Sequence, residues 1–285
     1  MADWTTAITI IGSLSAASTA QIVSHILTNR REKKKYEREC LQNLYSPVIF
    51  TIIDYLEAEN DKAISISVME AMEDESEMID EKKYEEYSLK PDSIFEKILE
   101  SVTKNLKYAH PSLIMAYEEV KSLTDTFKDN TEEYSFIFYA RIEMCRELLV
   151  EFIRISTELK AISRNVQERL YGSLFFTEFY LLLIQCNYWS LAEVSIKHFG
   201  LINTILLPKN NFLSRISNIR KEISRVTDTP AYKDRNRYEE AITDAYHFLH
   251  EIIDEFSILS EDDADYWRDE LEIEWKKRDE ITGLS

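Results

Sequence analysis

Glycine and proline are scarce in this sequence, and their scarcity argues against a sheet-rich fold. The chain of 285 residues holds only 4 glycines and 5 prolines, whereas tight turns between strands consume both. Nucleotide-binding α/β folds also need a glycine-rich turn that lets the backbone approach phosphate. We therefore expect an all-α protein, in which long helices joined by short polar loops form a multi-helix bundle.

Cysteines are few and isolated. Cys40, Cys145 and Cys186 are an odd number of thiols, and none forms a CxxC or CxxxC pair. This pattern excludes a disulfide scaffold and a cysteine zinc site, and it fits a reducing cytoplasm.

Positive charge is deficient in most of the chain. The net charge is −18, yet residues 1–36 carry a net charge of +3, which leaves −21 for the remainder. An acidic body repels the phosphate backbone, so nucleic acid is excluded as a partner. Acidity of this kind mostly confers solubility.

The N-terminal segment has no charged residue from Trp4 to Asn29, a run of 26 positions. A helix needs about 20 residues to cross a bilayer core, so we predict a transmembrane helix here. Ten positions between Trp4 and Leu27 are Ser, Thr, Gln or His, and a helix buried in a soluble protein is the alternative interpretation. The residues assigned to the predicted membrane span are Trp4, Ile8, Ile11, Leu14, Ile22, Val23, Ile26 and Leu27.

Small residues recur at four-residue spacing within this segment. Gly12, Ala16 and Ala20 would let a second helix approach closely, which is compatible with a homo-oligomer.

A basic cluster follows the apolar run directly and contains Arg30, Arg31, Lys33, Lys34 and Lys35. Such a cluster holds its end of a membrane helix in the cytoplasm, and it adds affinity for anionic lipid headgroups. The prediction is a single-pass protein of the cell membrane, with its N-terminus outside and its C-terminal domain cytoplasmic. The helix is expected to continue as a stalk to Tyr45.

The order of these features resembles a group of known proteins. An N-terminal span, a basic stalk and Tyr45-Ser46-Pro47 before an apolar helix resemble uncharacterised, N-terminally anchored single-pass helical proteins of bacteria and their phages. The resemblance covers about the first 60 residues and implies no activity or site. It suggests a division into an anchor and stalk, residues 1–46, and an acidic helical bundle, residues 47–285.

Several helix boundaries follow from local signals in the bundle. We expect helices to start after Pro47, at Pro91 and after His110-Pro111. One long amphipathic helix is predicted from about Phe136 to Leu170, and a central buried one from Leu174 to Ile196, closed by Gly200.

One constellation has the spacing of metal ligands. His247, His250, Glu251 and Asp254 lie near one face of a helix, where imidazole and carboxylate groups can hold zinc or iron. A helical metal site needs further ligands from other helices, and the sequence contains no second such pair. An ordinary amphipathic helix is the competing interpretation.

No catalytic motif is evident elsewhere. The sequence has no Walker loop, no recognised Ser–His or Cys–His signature and no Arg-x4-6-His pair of the kind found in helical HEPN-type RNases. The aromatic residues, 16 Tyr, 13 Phe and 4 Trp, are typical of a core between helices rather than of a cofactor site, and we expect no cofactor.

Three functional hypotheses follow. The first is a membrane-anchored adaptor, sensor or regulator that acts through protein–protein interaction. The second is a soluble adaptor or assembly subunit whose first helix is buried in an oligomer. The third is a metal-dependent helical-bundle enzyme at His247 and His250.

Overall fold

The fold is all-α, as predicted. A computed structural model describes residues 25, 27–73, 81–127, 134–205, 210–227 and 235–282, and no strand occurs among them. The helices are α1 (27–40), α2 (Ser46–Glu73), α3 (Glu81–Asn105), α4 (Pro111–Thr126), α5 (Tyr134–Leu159), α6 (Arg164–Gln185), α7 (Trp189–Lys197), α8 (Phe199–Ile205), α9 (Asn210–Thr227), α10 (Arg235–Ser257) and α11 (Glu261–Thr282).

The first helix does not end before Pro47, so that predicted boundary is wrong. A π-helical turn, Leu41–Tyr45, joins α1 to α2 without a break, and Ser46 donates its backbone N–H to the Leu41 carbonyl. In a regular α-helix the ring of Pro47 would collide with the carbonyl four residues earlier. The wider turn relaxes that collision, which lets the helix cross residue 46 and continue to Glu73.

Pro91 does not open a helix either, because it lies inside α3. Helix α3 contacts α2 on both sides of the proline. Lys90 pairs with Asp61 at 3.6 Å, and the Phe95 ring lies 5.0 Å from that of Tyr55.

The two long helices predicted after residue 136 are each interrupted by a residue in the left-handed conformation. Lys160, with φ of 53°, ends α5, and Asn187, with φ of 65°, ends α6. In both places the following residue donates to the carbonyl five residues earlier, as Tyr188 does to Leu183 at 2.8 Å, which is a Schellman cap. Gly200, predicted to close a helix, lies within α8.

Helix α6 is the centre of the bundle, which confirms that this apolar stretch is buried. It packs against α5, α7, α8 and α9 and also touches α2. Its continuous buried run from Gly172 to Leu183 includes Phe175, Phe176 and Phe179. Large rings in close-packed contact contribute much of the core's apolar burial.

The membrane prediction lies almost wholly outside the described residues. Of the residues assigned to the predicted membrane span, the structure describes only Leu27, and the small residues Gly12, Ala16 and Ala20 also lie outside the described residues. Among the described helices, none combines the length and apolar character that a bilayer crossing requires.

Candidate functional site

Five ionised side chains from three helices meet inside the bundle. Glu143, Arg146 and Glu147 project from α5, Glu178 from α6 and Arg220 from α9. We call this set the ion cluster. Glu178 and Arg220 are only 2% and 7% exposed. Because an unpaired buried charge destabilises a fold, each of these side chains requires an oppositely charged partner.

Glu178 bridges the two arginines. Arg146 Nε donates to one carboxylate oxygen of Glu178 at 2.8 Å, and Arg220 Nη1 donates to the other. Glu143 accepts from both arginines as well, at 3.0 Å from Arg146 and 3.2 Å from Arg220. Arg146 also donates to Glu147. Each guanidinium group therefore has at least two carboxylate partners.

The electrostatics of the ion cluster keep Glu178 ionised. Burial alone would raise the pKa of Glu178, but the charges of Arg220 and Arg146 outweigh it and lower that pKa below its ordinary value. The pKa of Arg146 is shifted upward because Glu178 and Glu143 outweigh its own burial.

Neutral side chains extend the ion cluster in two directions. Arg220 Nε donates to Gln185 at 3.2 Å, and Gln185 in turn donates to Ser224 at 3.2 Å. On the other side, Ser112 donates to Glu147 and lies 2.9 Å from His110 Nδ1. A nucleophilic triad needs the histidine between the serine and the carboxylate, and here the serine lies between them. The arrangement therefore does not activate Ser112.

A cleft of about 410 Å³ opens beside the ion cluster. The lining side chains are Glu143, Arg146, Glu178, Ser217, Arg220, Lys221, Ser224 and Arg225. They comprise four cations and two carboxylates, and two further carboxylates pair with the lining cations, Glu222 with Arg225 at 2.6 Å and Glu147 with Arg146, so that four cations meet four carboxylates. The lining contains no aromatic and no aliphatic side chain.

The four residues predicted to bind metal lie on α10, and the structure gives them other contacts. Arg215 holds Glu251 with two hydrogen bonds of 2.5 and 2.8 Å. The ring of His250 packs edge-on against Tyr246, and Asp254 lies 3.6 Å from Arg268. His247 also contacts Tyr246.

No three His, Cys, Asp or Glu side chains in the described ranges are placed to share a metal ion. The metal site at His247, His250, Glu251 and Asp254 therefore stays a prediction without a supporting cluster. Glu251 is the least available of the four, because the hydrogen bonds from Arg215 lower its pKa and occupy both oxygens.

The basic cluster after the predicted span is exposed, as lipid contact would require. Arg30, Arg31, Lys33, Lys34 and Lys35 all have exposed side chains. Lys33 nevertheless connects α1 to α5 through an ion pair of 3.0 Å to Glu158, and it also pairs with Glu37 of its own helix at 3.4 Å.

Sequence reasoning missed the ion cluster, although two signals pointed to it. Glu178 is a carboxylate inside the most apolar stretch of the body, and α9 is a basic helix in an acidic chain. A buried carboxylate demands a cation. That demand does not reveal which of the cations on α5 and α9 supplies it.

Comparison with known proteins adds no relative. A scan against models of protein families and searches of curated proteins and of solved structures found no match. The resemblance of the first 60 residues to bacterial and phage proteins therefore stays a prediction.

Proposed function

We propose that this protein is a membrane-anchored, non-catalytic interaction protein, whose α2–α3 hairpin binds a basic segment of a protein partner. The observation that carries the proposal is the change in burial along α2. Residues 48–59 contain eight buried side chains, including Leu56 and Glu59, whereas residues 60–69 contain none. The side chains described at residues 60–69 and 89–90 are all half-buried or exposed, and we call residues 60–73 and 81–90 the hairpin arm.

Exposed apolar side chains lie on the hairpin arm. Ile64 and Val68, one turn apart on α2, are 44% and 47% exposed, and Leu89 on α3 is 58% exposed. Ile64 and Val68 lie on one face of α2, and exposed apolar side chains that lie together are typical of a surface that another molecule covers. A partner segment with apolar side chains of its own would bury these three.

The acidic charge of the hairpin arm indicates the kind of partner that would bind there. The hairpin arm contains six acidic and four basic residues, and residues 74–80, which join its two halves in the sequence, add four acidic residues and no basic one. Complementary charge favours a basic protein segment, whereas a second copy of this chain would bring the same acidic charge to the contact. An anionic lipid surface is disfavoured as an occupant of the hairpin arm for the same reason.

The anchor in this proposal rests on the sequence. An uncharged run from Trp4 to Asn29, followed by Arg30 and Arg31, is the pattern of a membrane helix that ends at the cytoplasmic surface. The anchor is tested by fractionation of cells that produce the full-length chain or a chain without residues 1–29. We expect only the full-length chain in the membrane fraction, and its recovery as a detergent-free soluble protein would refute the anchor and support a soluble assembly subunit.

The binding surface is tested by photo-crosslinking in those cells. A photoreactive amino acid replaces Ile64 or Val68 in the hairpin arm, and replaces Met115 as a matched control, because Met115 is 74% exposed on α4. We expect one discrete adduct from the first two positions, containing a protein with a basic segment, and none from Met115. Adducts equally strong at Met115 would refute the hairpin arm as the surface, and an adduct of two copies of this chain would refute the basic partner.

A further inference from the structure

The turn between α5 and α6 lies beside the N-terminal end of α1. Glu37 of α1 is 3.4 Å from Arg154 of α5. One helical turn nearer the N-terminus of α1, Lys33 is 3.0 Å from Glu158, which is one turn nearer the C-terminus of α5. The two helices therefore run antiparallel, and the chain that follows α5 continues toward the N-terminal end of α1. We call residues 160–164 the α5–α6 turn.

The predicted membrane span ends at the same level. Two positions beyond the contact between Lys33 and Glu158, or about 3 Å of helix, Lys160 lies level with Arg31. Asn29, the last residue of the uncharged run, is two positions further along the same segment. If residues 4–29 span a bilayer, as proposed above, the α5–α6 turn lies at the lipid headgroups.

Backbone hydrogen bonds and packing fix the α5–α6 turn. Ala161 donates its backbone N–H to the Ser156 carbonyl at 2.8 Å, and Ile162 packs against the core. The side chains of Lys160 and Arg164 are exposed. The turn therefore presents two cations on a fixed part of the bundle.

This end of the bundle is positively charged, even when the partner of every ion pair is counted. Residues 30–39 and 151–168 contain nine cations and six carboxylates, a net charge of +3 in a chain whose net charge is −18. These carboxylates include all the partners of the paired cations, which are Lys33, Lys35, Arg154 and Arg164.

The unpaired charges at this end are mostly positive. In the described part of the chain, the exposed cations of these two ranges that form no ion pair are Arg30, Arg31, Lys34, Arg38 and Lys160. The exposed carboxylate that forms none is Glu32. Cations spread over two neighbouring segments suit a layer of phosphate groups better than one small anion, because each basic residue near an anionic membrane adds to the attraction.

We propose that the α5–α6 turn is a second membrane contact, in which Lys160, together with Arg30, Arg31 and Lys34, binds the headgroups of anionic phospholipids. This contact rests on the membrane anchor proposed above and adds to it a surface of the bundle itself. It fixes the orientation of the bundle on the bilayer, with the C-terminal end of α6 directed away from the lipid.

Fluorescence quenching on the full-length chain in lipid vesicles tests the proposal. A fluorophore is attached to Ala161→Cys, or to Ser190→Cys as a matched control, since the native cysteines are buried. Ser190 is exposed beyond the far end of α6, whose 22 residues extend for about 33 Å. With a nitroxide on the headgroup of a minor lipid, phosphatidylglycerol vesicles should quench the label at residue 161 but not at residue 190. Phosphatidylcholine vesicles should quench residue 161 less.

Removal of one cation tests the role of charge. In the Ala161→Cys chain, Lys160→Gln should lower the ratio of quenched to unquenched molecules roughly fivefold, which corresponds to the ~1 kcal/mol that one basic residue contributes near an anionic membrane. Lys221→Gln is the matched control, because Lys221 is also exposed but adjoins Arg220, which contacts Gln185 at the far end of α6. It should leave the quenching unchanged.

Flotation with the vesicles separates the contact from the anchor. A chain that does not float with them would refute the anchor and the contact together. A chain that floats, but shows no quenching at residue 161 or equal quenching at residues 161 and 190, would overturn the contact and leave the anchor supported. Equal quenching in the two kinds of vesicle, or equal losses in Lys160→Gln and Lys221→Gln, would overturn the anionic headgroup as the ligand.

Discussion

Replacement of Glu178 by glutamine tests whether the ion cluster holds α5, α6 and α9 together. The substitution keeps the shape of the side chain but removes the negative charge between Arg146 and Arg220. The amide group also places a donor opposite a guanidinium donor. Breaking a buried ion pair by removing one partner costs about 3–5 kcal/mol. Because Glu143 still pairs with both arginines, we expect the lower end, about 3 kcal/mol.

The assay is thermal unfolding of the full-length chain in mild detergent, followed by far-UV circular dichroism. A loss of 1 kcal/mol lowers the midpoint by roughly 2–4 °C in a domain of about 150–250 residues, so Glu178→Gln should lower it by roughly 6–12 °C. Glu251→Gln is the matched control, because Glu251 and Arg215 are 49% and 40% exposed and an exposed pair contributes only about 0–1 kcal/mol. A midpoint for Glu178→Gln equal to or above that of Glu251→Gln would refute the reasoning.

Three further predictions concern acid, a helix cap and the buried thiols. The folded-state pKa of Glu178 is lowered from its ordinary value of 4.5, so its stabilisation is present above that pH and is lost as the pH falls through the lowered pKa. The difference in midpoint between the parent chain and Glu178→Gln should therefore narrow in acid, and a constant difference from neutral pH to pH ~2 would contradict this. Lys160→Gly should raise the free energy of unfolding by up to about 1 kcal/mol, because φ is 53° at this position and glycine adopts that conformation without strain. Lys104→Gly, in the helical last turn of α3, should lower the free energy of unfolding by a similar amount. If both substitutions raised stability or both lowered it, the left-handed helix end at Lys160 would be contradicted. Burial raises the pKa of Cys186 to about 12, and Cys145 is also buried, so iodoacetamide should modify both slowly in the folded chain and quickly in denaturant, as mass spectrometry would report.

The helical architecture was predictable because it depends on composition and periodicity. Few glycines and prolines, together with apolar residues at helical spacing, exclude most other folds. Helix ends were less predictable where no standard breaker marks them. Lys160 and Asn187 end helices in a left-handed conformation. Lysine adopts it only at a cost, so nothing in the sequence marks the end of α5. Asparagine adopts it more readily and is a known helix-ending residue, so Asn187 is a weak signal that the sequence analysis did not use.

The two prolines led to the opposite error, in which a helix boundary was predicted where the helix continues. Pro47 and Pro91 are strong local signals for a helix boundary, yet both lie inside helices. The compensation comes from elsewhere: a π-helical turn before Pro47 and packing between α2 and α3 around Pro91. Neither is encoded within the few residues that a local rule considers.

The candidate site was less predictable than the fold, because its parts are far apart in the sequence. Arg146 and Glu178 are separated by 32 positions, and Glu143 and Arg220 by 77. Helical spacing within one segment, by contrast, suggested a metal site on α10, where Arg215 from another helix already occupies Glu251. Local spacing says which side chains share a face, but only packing determines which charges meet.

The packing of α1 changes what the predicted anchor would do. Glu37 is buried, and it lies 3.4 Å from Arg154 of α5 and 3.4 Å from Lys33. If residues 4–29 span a bilayer, as proposed, Glu37 follows Asn29 by only eight positions, or about 12 Å of helix at about 1.5 Å per residue. The segment predicted to be a stalk would then hold the acidic bundle close to the membrane surface rather than away from it. The exposed cations Arg30, Arg31 and Lys34 would lie between that bundle and the anionic headgroups, where they would offset the repulsion between the two.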